Sequence, residues 1–284
     1  MRSRSSLARI GSTLAAVAAC LGFTALLAPP ALAAVECGDS ISNDVKLKQN
    51  LNCSMSGGDG LDIAENGVTI DLNGKKLIGP AGSYYGIDAN EHDGLVVKNG
   101  TLEGWDYAIY GYYASRMRLS NLKIDLGGNN SDNGVYSQYA VDVTMNKVTV
   151  DNANYGFYLY SIDGLKLTDS KVTGSDPSST YGLYDYNSVG TVDNLRANGA
   201  YYGAYIGGET SGYRVLDGSF NNAGYAGVYV SNSSPLYKYR YTLSKNVANG
   251  SGSYGFYASY DVRGAGNKAT GAAGTNCYRV PCSN

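Results

Sequence analysis

YGFYLY, residues 155–160, sets apolar residues and tyrosines on alternate positions. Close variants recur as YAIYGY at 107–112, YGLYDY at 181–186, YGAYIG at 202–207 and YGFYAS at 254–259. Successive side chains leave a strand on opposite sides, so alternation of period two marks a strand with one buried face. Recurrence of that strand down the chain marks a repeat architecture.

A small residue opens each unit: Gly60, Gly86, Ala108, Gly134, Gly156, Gly182, Gly203, Gly227 and Gly255. The gaps run from 21 to 28 residues and average about 24. The next residue is apolar in every unit: Leu61, Ile87, Ile109, Val135, Phe157, Leu183, Ala204, Val228 and Phe256. Three positions after the opener the residue is again small or apolar, except Asp185. A lone buried carboxylate is costly. Asp185 is therefore paired, protonated, or a sign that the register shifts locally, and the last is the expectation. A second short strand follows in each unit, as in VTIDLNG at 68–74 and LKLTDS at 165–170, and it ends in Asn, Asp or Gly. Asn99, Asn121, Asp169, Asn194 and Asp217 are expected to form a turn ladder, since Asn and Asp tolerate the left-handed conformation. No helical period runs through the chain after residue 34.

Short strands without helices predict an all-β coil that stacks on itself, a single-stranded parallel β-helix of about 9–10 coils of ~24 residues. Successive strands would then lie about 4.8 Å apart. The stretch CGDSISNDVKLKQNLNC…GLDIAENGVTIDLNGKKLIG (37–79) resembles the opening coils of the secreted right-handed β-helix proteins of the pectate-lyase-like (pectin lyase fold) superfamily. That resemblance implies the fold. It leaves activity open, because the same fold carries lyases, hydrolases, epimerases, adhesins and binders.

Residues 1–34 carry three arginines, an apolar run and Ala-Leu-Ala-Ala, the pattern of a secretory signal peptide. Cys20, behind Val-Ala-Ala, offers a weaker lipoprotein reading. The expected organisation is a signal peptide over 1–34, an N-terminal cap over 35–58, the β-helix over 59–264 and a C-terminal cap over 265–284. No later segment is apolar enough to span a membrane, so the expected location is extracellular. Removal of 1–34 leaves a net charge of about −5 from the −2 of the whole chain, which argues against a nucleic-acid binder. In an oxidising compartment Cys37–Cys53 and Cys277–Cys282 are the economical pairings.

Tyrosine stands out: 27, against four Phe and one Trp. Stacking the coils aligns Tyr110, Tyr136, Tyr158, Tyr184, Tyr205, Tyr229 and Tyr257, two positions after each opener, into an outward column. Tyr112, Tyr160 and Tyr186 begin a second. Tyr85, Tyr107, Tyr155, Tyr181, Tyr202 and Tyr254, just before the opener, are expected at the corner. Such a ladder can hold register. An exposed aromatic strip can also bind a glycan or a surface. The candidate ligand-binding residues are these ten outward tyrosines, and the candidate partner is a polysaccharide or cell-surface glycan.

Catalytic signatures are missing. The galacturonan hydrolases of the resembled superfamily carry Gly-His-Gly, whereas His92 lies in Asn-Glu-His-Asp. Its mannuronan epimerases carry Tyr-Gly-Phe-Asp-Pro-His, whereas Tyr158 and Tyr257 stand where the Asp would follow Tyr-Gly-Phe. A polysaccharide lyase remains the alternative function, and a purely structural extracellular protein a third. No cofactor is expected, although Asp88, Glu91, His92, Asp93, Glu103 and Asp106 could gather around Ca²⁺. The expected state is a monomer.

Overall fold

The structure is a computed structural model that describes residues 35–80, 85–127, 132–209, 212–232, 234–237 and 240–283. The signal peptide expected over 1–34 lies outside them. Each coil returns the chain to the same sheet one strand spacing further along, so every strand pairing is parallel. One long sheet has eleven strands, each contributed by a successive coil, from Asp39–Ile41 to Thr275–Tyr278. Strands of two to ten residues form the remaining walls. The one helical turn among the described residues is Pro235–Tyr237.

The repeat register holds without a break through YGFYLY. Val135, Phe157, Leu183, Ala204, Val228 and Phe256 fall in register and are fully buried. They form one wall of a narrow apolar column. At its N-terminal end Trp105 fills the column, and its indole N–H donates to the Leu77 carbonyl at 3.1 Å.

The small opener is required by close approach. A Cβ on Gly156 would lie 2.6 Å from the Gly182 carbonyl oxygen and 2.7 Å from Val172. Opener and next residue are both buried, so the alternation slips by one residue there. This corrects one expectation. Tyr85, Tyr107, Tyr155, Tyr181, Tyr202 and Tyr254 are not corner residues. Each is the first residue of its strand in the long sheet, half-buried like the tyrosines two after the opener.

The turn ladder is present: Asn99, Asn121, Asp169, Asn194 and Asp217 all have φ between 50° and 61°. Their side chains bond along the stack, as where Asn194 Nδ2 donates to Asp169 Oδ1 at 2.8 Å. Both segments expected as caps are coils themselves. Residues 39–41, 45–46 and 51–52 pair with the next coil. Residues 267–270, 275–278 and 282–283 extend the same walls. Cys37–Cys53 and Cys277–Cys282 are bonded, with Cα atoms 5.6 and 6.3 Å apart.

Candidate functional site: the tyrosine face

The outward side of the long sheet carries the aromatic side chains. Tyr110, Tyr136, Tyr158, Tyr184, Tyr205, Tyr229 and Tyr257 form one stack, with ring centroids 4.5–5.4 Å apart and planes within 18° of parallel. Sequence reasoning missed an eighth ring. Tyr278 stacks on Tyr257 at 5.1 Å and 9°. No Gly opener announces it, because Asn276 stands at the opener position.

A second column runs beside the first. Tyr155, Tyr181 and Tyr202 stack at 4.9 and 5.2 Å. Their rings meet Tyr158, Tyr184 and Tyr205 at 74–86°. Asn133 and Ala226 interrupt this column. At the second gap Tyr225, one residue early, bridges Tyr202 and Tyr254.

The third set, Tyr112, Tyr160 and Tyr186, is looser. Tyr160 and Tyr186 stack at 5.8 Å and 12°, and Gln138 stands between Tyr112 and Tyr160. The structure brings all ten sequence-predicted tyrosines onto one face.

Stacking has a chemical consequence. In the unbroken column, and within the Tyr155–Tyr181–Tyr202 run, ring faces are covered by the next ring, so the surface there shows ring edges and hydroxyls. Partial burial disfavours the phenolate. It pushes the Tyr184 and Tyr229 hydroxyls up to about 12 and raises Tyr136 and Tyr202 further, with neighbouring tyrosines adding to the effect. Tyr136, Tyr184, Tyr202 and Tyr229 thus present neutral hydroxyls, each both donor and acceptor.

The face changes chemistry at its N-terminal end. The column that holds tyrosine from Tyr110 onward holds Ser40, Asp62 and Asp88 in the first three coils. Burial raises the Asp88 pKa, and the Asp62 and Asp59 charges add to this against the Asn90 N–H that Asp88 accepts. Three of the acids considered for Ca²⁺, Asp88, Asp93 and Glu103, are engaged separately. Asp93 pairs with Arg116 at 3.0 Å and Glu103 with Lys76 at 2.8 Å. His92 Nδ1 lies 2.8 Å from the Asn90 carbonyl. Among the described residues no group of three His, Cys, Asp or Glu could hold a metal ion.

Asp185 is where expectation and structure differ most. The register is intact: Leu159, Asp185 and Ile206 align in successive coils. The carboxyl is fully buried. Tyr213, also buried, donates its hydroxyl to Oδ2 at 2.6 Å, and Ser188 supplies a second hydrogen bond. Oδ1 has no partner. Burial outweighs both hydrogen bonds and pushes the carboxyl up to about 7.

The model of the right-handed β-helix region matches residues 40–195, more than half of the chain. The protein belongs to the right-handed β-helix family. No curated protein matches it. Among solved structures it is similar to the catalytic domain of a GH87 α-1,3-glucanase in complex with nigerose, at 12% identity and TM-score 0.56, covering 87% of this chain and 61% of that one. A complex of the same domain with tetrasaccharides aligns at 13% identity and TM-score 0.51, covering 84% and 58%. The chain therefore spans about three-fifths of those domains. At such identities the likeness establishes the β-helix fold alone.

Proposed function

We propose that this β-helix is a secreted, non-catalytic binding protein for a neutral polysaccharide, and that the tyrosine face is its contact surface. One observation carries the reading. From Tyr110 to Tyr278 the central column is unbroken tyrosine, and no charged residue occupies it or the columns beside it between Tyr107 and Tyr257. Hydroxyls about one strand spacing apart suit a polymer that offers hydroxyls and ring oxygens in regular succession. The carboxylates at the head of the column disfavour a polyanion. Glucanase domains of similar fold, solved with nigerose and tetrasaccharides, make a saccharide a reasonable occupant. The disulfides suit an oxidising location, and among the described residues no helix is long and apolar enough to cross a membrane.

The test is co-sedimentation with insoluble neutral glucans, comparing the residue 35–284 protein with its Tyr158→Phe/Tyr184→Phe/Tyr205→Phe variant. The exchange keeps the ring stack and removes three hydroxyls. Binding that falls at least fivefold in the variant supports the reading. Equal binding, or none by the parent protein, overturns it. A rise in absorbance at 235 nm with acidic polysaccharides would instead reveal a lyase.

A further inference from the structure

We infer that the corner formed by Tyr113 and Tyr139 is a sugar-stacking subsite at the edge of the tyrosine face; this rests on the glycan-binding reading above. Where the long sheet turns away, each coil places one residue in the left-handed region. These are Glu91, Tyr113, Tyr139, Ser161 and Asn187, with φ between 53° and 63°, and then Gly208. Asn and Gly suit such a position, whereas a bulky aromatic there is a backbone outlier. The inter-coil ladder holds both tyrosines in it. The Tyr113 N–H donates to the Gln138 carbonyl and the Tyr139 N–H to the Tyr160 carbonyl, each at 2.9 Å.

The result is an aromatic pair unlike the inner columns. Tyr113 and Tyr139 stack on each other at 5.2 Å and 22°. They are 50% and 41% exposed, the highest values among the large apolar and aromatic residues of this face. Their stack is two rings long: Glu91 precedes it and Ser161 follows it. Each ring therefore keeps one face that no parallel ring covers, as in the inner columns only rings beside a break or an end do. Tyr112 and Tyr160 meet Tyr139 at 83° and 73°. Beyond Tyr139 the corner drops to Ser161, Asn187 and Gly208, beside the stacked Tyr160–Tyr186 pair. This makes a step with an aromatic riser, an aromatic tread and small polar residues at its rim. A pyranose can lay its C–H face on the riser while its hydroxyls reach the rim.

The experiment is affinity gel electrophoresis of the residue 35–284 protein in gels containing hydroxyethylcellulose, laminarin or dextran. The variants are Tyr139→Ala, Ser161→Tyr and Tyr158→Phe/Tyr184→Phe/Tyr205→Phe, with circular dichroism to check each fold. The Ser161→Tyr change leaves both corner rings in place and fills the step with a third. The inference predicts that Tyr139→Ala and Ser161→Tyr each weaken binding at least tenfold. If both bind like the parent protein while the column variant does not, the corner is overturned and the glycan reading stands. If the parent protein is not retarded in any of the gels, both fall. If Tyr139→Ala does not fold, Ser161→Tyr decides alone.

Discussion

The first three coils and the later ones pair their strands in the same parallel way, yet their outward faces differ. Ser40, Asp62 and Asp88 occupy the positions that Tyr110 to Tyr278 occupy further along. The inward residues do not change character: Leu61 and Ile87 are as fully buried as Phe157 and Phe256. Coil stacking therefore depends on the inward residues and the close-approach glycines. In the first three coils the scaffold forms without an aromatic column.

The largest effect that can test this contrast is inside. Phe157→Ala should destabilise by about 3–5 kcal/mol, while Tyr158→Ala, one residue away and half-buried, should cost roughly 0.2–1 kcal/mol for its cross-strand contacts. Urea denaturation of the two variants checks the ratio. Comparable losses would mean that the outer column is part of the core.

Next comes Asp185, a carboxyl buried inside the apolar column. Its folded-state pKa lies near 7 against an ordinary value of 3.8, so the folded protein holds a proton that the unfolded chain releases. Its contribution is complete below about pH 4 and is lost as pH rises through about 7. The shift corresponds to about 4 kcal/mol between those limits. Urea midpoints should fall from pH 4.5 to pH 8.5, and Asp185→Asn should remove most of that slope. An unchanged slope in the variant would assign the pH dependence to other groups.

A smaller effect is expected from Asp88→Tyr, which extends the column by one ring onto Tyr110. It loses the Asn90 N–H contact and relieves repulsion from Asp62 and Asp59. The net change should be within about 1 kcal/mol, the range of cross-strand pairs, and thermal denaturation measures it. A loss of several kcal/mol would show that the acidic head is itself structural.

Much of this was legible in the sequence. The fold follows from period-two alternation repeated about every 24 residues, and the ten outward tyrosines lie on one face as that alternation implies. Reading was weakest where a local device breaks the parity. The opener and its successor both turn inward, which points Tyr155 and its equivalents outward on the sheet, whereas strict alternation from Phe157 would turn them inward. Tyr113 and Tyr139 were invisible as corner residues because propensity assigns left-handed backbone to Asn and Gly. Asp185 looked like a register error because its partner, Tyr213, lies 28 residues on, outside the tyrosine repeat. Pairings of that kind depend on coil length, which single-residue patterns do not encode.

The central claim is that the coils fold without the aromatic column and that the column binds. Retardation of a Tyr158→Thr/Tyr184→Thr/Tyr205→Thr variant in a neutral-glucan gel tests it most directly. The variant gives three later coils an outer position as small and polar as Ser40 in the first. The account predicts a folded variant with a moderately lower melting temperature and no retardation, beside a retarded parent protein. A variant that cannot fold, or one that binds as the parent does, would contradict it.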